Sequence, residues 1–158
     1  MKNWYKIAVL IILISTVMMA LLIRPYRVSG DCMEPAVMDG QLCWLNRFPS
    51  FLRKYRMNDV VIFKCEDKMW ISRIVALENS TIQIVEGALI INNIPDQSVS
   101  RNWFNWKYGN YAINEPFHVP SDHVFVLSDN LSAQHDDSRV FGPIPMDSII
   151  GTVWGYKQ

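Results

Sequence analysis

The order of apolar and polar positions divides the chain into two unequal parts. Residues 7–23 read IAVLIILISTVMMALLI, an apolar run in which serine and threonine are the most polar members. A helix over this run would be ~26 Å long, close to the ~30 Å hydrocarbon core of a bilayer. The run is long for a cleaved signal peptide, and no pair of small residues closes it. The pattern therefore predicts an uncleaved transmembrane anchor over residues 7–23, between residues 1–6 and residues 24–158.

Beyond residue 24 the apolar residues occur in short runs separated by turn formers such as Gly142-Pro143. The runs are rich in β-branched and aromatic side chains, and no helical period follows the anchor. This pattern predicts a mainly β fold of antiparallel sheets behind one N-terminal transmembrane helix. Residues 96–116 are predicted to be an irregular segment that its aromatic side chains fasten to the domain; a surface for a partner is the alternative. The predicted strands are 60–63, 81–85, 88–91 and 123–127.

Composition excludes several classes of protein. The 158 residues are 50% hydrophobic with a formal net charge of zero, which is enough apolar material for a core and excludes a disordered chain. Residues 24–158 keep 13 basic against 15 acidic side chains. Because nucleic-acid-binding proteins need a clustered basic face, no nucleic-acid partner is predicted.

The three cysteines, Cys32, Cys43 and Cys65, are an odd number, so at most one internal disulfide can form. Cys43 and Cys65 lie in strand-like surroundings, where cysteine is usually a small buried hydrophobe. Cys32 lies in a turn, where a thiol can face a cleft, and whether it joins Cys43 stays open. There is no CxxC motif and the histidines lack metal-ligand spacing, so neither a metal site nor a cofactor is predicted.

Four segments occur in a fixed order along the chain. They are GDCMEP at 30–35, NDVVIF at 58–63, SRIVAL at 72–77, and SDN at 128–130 followed by DSRVFGP at 137–143. Together they resemble the type I signal peptidases, the membrane-bound serine proteases that remove signal peptides from exported proteins. The patterns of that family are G-x-S-M-x-P, R-G-D-V-V-x-F, K-R-V-x-x-L and G-D-N-R…D-S-R-x-F-G. The single anchor and the first pattern look like the Gram-positive branch.

In that family a serine attacks the peptide carbonyl and a neutral lysine takes its proton. The resemblance puts Cys32 at the serine position and Ser72 at the lysine position. A thiol is a workable nucleophile, but a hydroxyl is no base at neutral pH, and losing a general base typically costs ~10²–10⁴-fold. The resemblance therefore implies a catalytically inactive member. An active peptidase that uses Cys32 as its nucleophile is the alternative.

Other matched residues are ones that the resemblance assigns to support of the cleft. We expect Asp137 to pair with Arg139 or Arg73. We expect His135, in the variable stretch before Asp137, to be an exposed loop histidine; a Cys32–His135 pair that restores a base is the alternative. The cleft-support residues are Met33, Pro35, Arg73, Asp129, Asn130, Asp137, Ser138 and Arg139.

The resemblance also implies partners and a location. Dyad-lacking members of this family occur in Gram-positive bacteria, some beside pilus sortases, so we expect secreted or pilin precursor polypeptides, a sortase and the lipid bilayer as partners. The charges that flank the anchor do not fix its orientation. The placement of residues 1–6 in the cytoplasm and 24–158 outside it rests on the resemblance.

Phe48, Phe51 and Leu52, followed by basic residues, form either a membrane-inserting tip or part of the β core.

Overall fold

The computed structural model describes a helix followed by two antiparallel sheets, of seven and four strands within the described ranges. The mainly β architecture behind an apolar N-terminal helix is therefore confirmed. The described residues are 4–48, 54–96, 108–111, 115–130 and 134–156. The helices are α1 (Trp4–Leu22) and α2 (Ser138–Phe141), and a 3-10 turn covers Met146–Ser148. The strands are β1 (Ile23–Arg27), β2 (Leu42–Asn46), β3 (Val60–Cys65), β4 (Lys68–Ala76), β5 (Thr81–Val85), β6 (Ala88–Ile91), β7 (Ile94–Pro95), β8 (Phe117–His118), β9 (His123–Leu127), β10 (Ile144–Pro145) and β11 (Ile149–Trp154).

The helix α1 leaves its apolar side chains uncovered on all sides, since none of them is buried. Its two hydroxyl side chains, Ser15 and Thr16, donate to the carbonyl of Ile12, so the helix itself satisfies them. With 19 residues and a length of ~28 Å, α1 is long and apolar enough to cross a membrane.

Three predicted strands have the predicted bounds, and β3 runs two residues further than the predicted 60–63. Their β-branched runs alternate with turn formers, so the local pattern is sufficient to define them. The strand β1 was not predicted, because Pro25 and two arginines weaken its strand signal. It forms as an edge strand of the larger sheet, the position where a proline without an N–H is tolerated.

The larger sheet has the strand order β1-β2-β11-β3-β4-β9-β10. Arg47 N–H donates to the carbonyl of Leu22 at 2.8 Å, which ties the end of α1 to the end of β2. Ser72, on the interior strand β4, lies in the same row of directly paired residues as Ile23, the first residue after α1. That row is Ile23, Asn46, Thr152, Val61 and Ser72.

The core packs against both faces of this sheet. Residues 28–37 cover one face, where Met33 and Val37 are fully buried beside Cys43. Cys43 is buried as predicted, whereas Cys65 is only half-buried, because it ends β3 beside the turn into β4. All three cysteines are free thiols, so Cys32 and Cys43 are not joined.

Two tyrosines of the aromatic-rich segment contact the stretch that contains Asp136 and Arg139. Tyr108 Oη donates to Asp136 Oδ1 at 2.7 Å, and Tyr111 N–H donates to the carbonyl of Arg139 at 2.7 Å. The Tyr111 ring also meets Phe117 edge-on, with 5.9 Å between ring centroids. These contacts confirm the predicted fastening for the two tyrosines. The other aromatic residues of this segment, Trp103, Phe104 and Trp106, lie outside the described residues.

Candidate functional site

A tight turn presents Cys32 at one side of the larger sheet. Gly30 has a φ of 99°, which glycine adopts without strain, and its N–H donates to Asp39 Oδ1 at 2.8 Å. Within the turn Val37 N–H donates to the carbonyl of Met33 at 2.9 Å. The Met33 side chain is fully buried in the core, and this burial fixes the position of the preceding residue, Cys32. Pro35 is exposed in the same turn and does not line the cavity beside Cys32.

The thiol at one of the two positions matched to the dyad contacts the residue that precedes the other. The Cys32 thiol donates to the carbonyl of Ile71 at a sulfur–oxygen distance of 3.6 Å, and Ser72 is the next residue. Ser72 is only 1% exposed, and within the described part of the chain its hydroxyl has no hydrogen-bond partner. A hydroxyl in this position cannot accept the proton of the thiol at neutral pH.

The surroundings of Cys32 favour the neutral thiol. Burial is the main cause that raises its pKa to about 11, and the carboxylates of Asp31, Asp129 and Asp137 raise it further, against an opposing backbone hydrogen bond. At neutral pH the thiol is therefore protonated. A thiol acts as the nucleophile of a peptidase only when a base removes its proton or its pKa is lowered.

The raised pKa gives a first prediction. Alkylation requires the thiolate, so at pH 8 Cys32 should react with iodoacetamide about 100-fold more slowly than a thiol of pKa 9, and its rate should rise tenfold per pH unit towards pH 11. Mass spectrometry of the Cys32 peptide after timed alkylation measures this rate. A titration midpoint below pH 9 would contradict the neutral thiol.

An ion pair fixes β4 to the loop that follows β9. Arg73 donates from Nε and Nη2 to the two carboxylate oxygens of Asp129, at 2.9 and 2.5 Å. Its Nη1 also donates to the carbonyl of Asn58 at 2.9 Å, and its guanidinium lies 5.8 Å from the centroid of the Tyr156 ring. Two-point binding of a planar guanidinium fixes orientation as well as distance. The strand that carries Ser72 is thereby held against the segment that carries Asn130.

Asn130 connects that segment to the turn of Cys32. Its backbone N–H donates to the carbonyl of Cys32 at 2.8 Å, and its Nδ2 donates to the carbonyl of Asp31 at 3.0 Å. The turn and the loop, about 100 residues apart in sequence, therefore form one wall of the site.

A second ion pair lies beneath this wall. Asp137 is completely buried and accepts from Arg139 Nε and Nη2, at 2.9 and 2.8 Å, and from the backbone N–H of Ser128 at 3.0 Å. Ser138 Oγ accepts from the N–H of Val126 at 2.9 Å. Of the two partners expected for Asp137, the structure has Arg139, because Asp129 already binds Arg73.

His135 differs from its expectation as an exposed loop histidine. With residue 136 and segments 29–32 and 69–71, it lines a cavity of about 210 Å³ beside Cys32. Its side chain is 18% exposed, and its Nε2 lies 3.6 Å from Asp31 Oδ1 without a hydrogen-bond partner among the described residues. The expectation is wrong because the chain after β9 folds back over the Cys32 turn. His135 is not hydrogen-bonded to the thiol, which donates to Ile71 instead.

Sequence reasoning missed three contributors to the site: Asp31, the Ile71 carbonyl and Tyr156. Asp31 and Ile71 are neighbours of the two matched positions, and that adjacency is the one signal that could have identified them. Tyr156 comes from the C-terminal end of the chain, and no local pattern relates it to Arg73.

Within the described ranges, no three His, Cys, Asp or Glu side chains are placed to share a metal ion.

Comparison with known proteins identifies the family of this chain. The family described as signal peptidase, peptidase S26, matches residues 1–155. Signal peptidase I of Bacillus amyloliquefaciens is 24% identical over 155 residues, which cover 95% of this chain and 84% of that protein. Probable thylakoidal processing peptidase 2 of Arabidopsis thaliana is 31% identical over 157 residues, which cover 92% of this chain and 41% of that protein. A crystal structure of a signal peptidase I from Enterococcus faecalis has a similar fold, with a TM-score of 0.50 at 24% identity over 63% of this chain and 97% of that one. The chain therefore belongs to the signal peptidase family, peptidase S26.

Proposed function

We propose that this chain is a membrane-anchored, signal-peptidase-like protein that binds secreted or pilin precursor polypeptides without cleaving them. One observation carries the proposal: the position of the general base holds a hydroxyl, Ser72, that is 1% exposed. The neutral thiol of Cys32 beside it is consistent with the same conclusion. The substitutions remove proton transfer, while the ion pairs that support the cleft are present.

An open strand edge is suited to hold an extended polypeptide. Residues 68–73 of β4 pair with β3 on one edge, but among the described residues the other edge is paired, by β9, only from Arg73 onwards. The carbonyl of Ile71 faces this second edge, where it accepts from the Cys32 thiol. A peptide that enters beside Cys32 could add to β4 as a further strand, with main-chain hydrogen bonds for affinity and the adjoining cavity for a side chain.

The position of this edge suits a precursor that emerges from a bilayer. Ser72 lies in the same row as Ile23, which directly follows α1, so the edge lies level with the end of the anchor. We propose that α1 crosses the cell membrane with residues 1–6 in the cytoplasm and 24–158 outside it. A role in assembly follows from binding without hydrolysis, and a sortase is the partner class for a pilin precursor.

A cysteine peptidase is the second candidate function. It is favoured by one observation, the buried and unpartnered Nε2 of His135 in the cavity that Cys32 also lines. If substrate binding turned the thiol from the Ile71 carbonyl towards this nitrogen, His135 could take its proton. Loss of cleavage in both Cys32→Ala and His135→Ala variants would identify this mechanism.

Binding and cleavage can be measured on the full chain in detergent. A fluorescent precursor peptide with an Ala-x-Ala site should bind with unchanged affinity in the Cys32→Ala variant, and mass spectrometry should find no fragments. The period of two along a strand puts the N–H of Met69 on the same edge as the carbonyl of Ile71. The Met69→Pro variant should therefore bind at least tenfold more weakly, because it loses this donor.

The matched control is Met69→Ala, which removes the same exposed side chain but keeps the N–H. Equal losses in the two variants would show that the side chain, and not strand addition, holds the peptide. If the native protein produces fragments and the Cys32→Ala variant does not, the chain is a cysteine peptidase and the binding proposal is wrong.

A further inference from the structure

The cavity beside Cys32 has two carboxylates in its lining. Asp31 and Asp136 line this cavity of about 210 Å³ together with residues 69–71, and the described lining residues include no lysine or arginine. Residues 69–71 belong to the edge of β4 that, among the described residues, β9 pairs only from Arg73 onwards. A polypeptide added to this edge would therefore place a side chain next to the two carboxylates.

Neutral groups hold the two carboxylates in place. Tyr108 Oη donates to Asp136 Oδ1 at 2.7 Å, and Asn130 Nδ2 lies 3.5 Å from Asp31 Oδ2. The two buried guanidiniums that support the cleft each bind a different carboxylate. Within the described ranges, no lysine or arginine therefore balances the negative charge of Asp31 and Asp136.

The same lining offers a further hydrogen-bond acceptor. His135 Nε2 is buried at the cavity, 3.6 Å from Asp31 Oδ1, and has no hydrogen-bond partner in the described part of the chain. In the neutral imidazole with its proton on Nδ1, this nitrogen accepts a hydrogen bond. Because buried polar atoms of native proteins nearly always have a partner, the nitrogen indicates a ligand that donates. Two carboxylates and an acceptor nitrogen together suit a cation with several N–H donors, which describes the ends of lysine and arginine side chains.

We propose that this cavity binds a lysine or arginine side chain of the precursor polypeptide, and that Asp31 and Asp136 select it. The inference rests on the proposed function, in which the polypeptide adds to β4. Met69 and Trp70 supply apolar wall for the stem of such a side chain, since long basic side chains lay their methylene groups on apolar surface. Charge-assisted hydrogen bonds to the carboxylates then favour a basic side chain over a neutral one of similar size.

Binding of a peptide series to the full chain in an uncharged detergent tests the inference. In this series a single lysine is moved along the Ala-x-Ala precursor peptide. Each member has a partner peptide with norleucine, which has the same carbon stem without the charge, at the same position. One lysine position should bind at least about tenfold more tightly than its norleucine partner, a difference of about 1.4 kcal/mol. This preference should disappear in the double variant Asp31→Asn with Asp136→Asn, and in the native protein it should weaken as salt is added.

The matched control is Asp122→Asn. It removes an exposed carboxylate at the end of β9 opposite to the loop that reaches the cavity, so the preference for lysine should remain. If the double variant does not fold, Asp31→Asn alone carries the test, because the Asp31 side chain is 56% exposed. The preference should fall in that variant, and an unchanged preference would contradict the role of Asp31.

The peptide series also separates this inference from the proposed function. Equal affinities within every lysine–norleucine pair, with the peptides still bound, would overturn the selection of a basic side chain and leave the binding of precursors standing. If no peptide of the series binds, both are wrong.

Discussion

The paired replacement Cys32→Ser with Ser72→Lys is expected to cleave a precursor peptide with an Ala-x-Ala site at least ~100-fold faster than the native protein, since a general base contributes ~10²–10⁴-fold. Position 72 adjoins the Ile71 carbonyl that contacts residue 32, so the two new side chains would start from adjacent backbone. Because the position is 1% exposed, burial should lower the pKa of a lysine amine there and keep part of it neutral. Fragments quantified by mass spectrometry at equal protein concentration measure the gain.

The matched control for this gain is Cys32→Ala with Ser72→Lys, which carries the same lysine without a nucleophile and should stay inactive. The single Ser72→Lys variant reports by its melting temperature whether the longer side chain is accommodated. Failure of a folded double variant to cleave would show that the cleft has changed beyond the dyad. The proposed binding role would then depend on the peptide-affinity measurement alone.

Asp137→Asn is expected to lower the free energy of unfolding by ~3–5 kcal/mol, the usual cost of breaking a buried ion pair from one side. Asp137 is completely buried and Arg139 is 2% exposed, so the change removes the buried carboxylate that binds this guanidinium. The new amide nitrogen would also face a donor of Arg139 or of Ser128, where the carboxylate accepted. Urea unfolding followed by circular dichroism measures the loss.

Asp67→Asn is the matched control, because it makes the same chemical change in an exposed pair. Lys64 Nζ lies 2.8 Å from Asp67 Oδ1, with the two side chains 57% and 93% exposed. An exposed pair contributes little, so no measurable change in stability is expected. Equal effects of the two substitutions would show that Asp137 is not the support that its burial indicates.

The candidate site could be located from sequence only through the resemblance, and only in part. Motif order directed attention to Cys32 and Ser72, and in the fold the Cys32 thiol contacts the carbonyl of the residue that precedes Ser72. Motif order left Arg73 and Arg139 as possible partners of Asp137. The structure decides between them, because Asp129 binds Arg73. The placement of His135 was wrong, because the path of a loop between two motifs is not encoded in the motifs.

Local pattern by itself determined the apolar helix and the strands β3, β5, β6 and β9, because runs of β-branched residues between turn formers need no distant partner to be recognised. Only the tertiary structure decided which strands became neighbours. The row that joins Ile23 to Ser72, the pairing of Trp44 with Trp154 and the meeting of Cys32 with Ile71 all depend on strand order and register. Strand order and register depend on which apolar faces of distant segments can be buried against each other. No single segment carries that information.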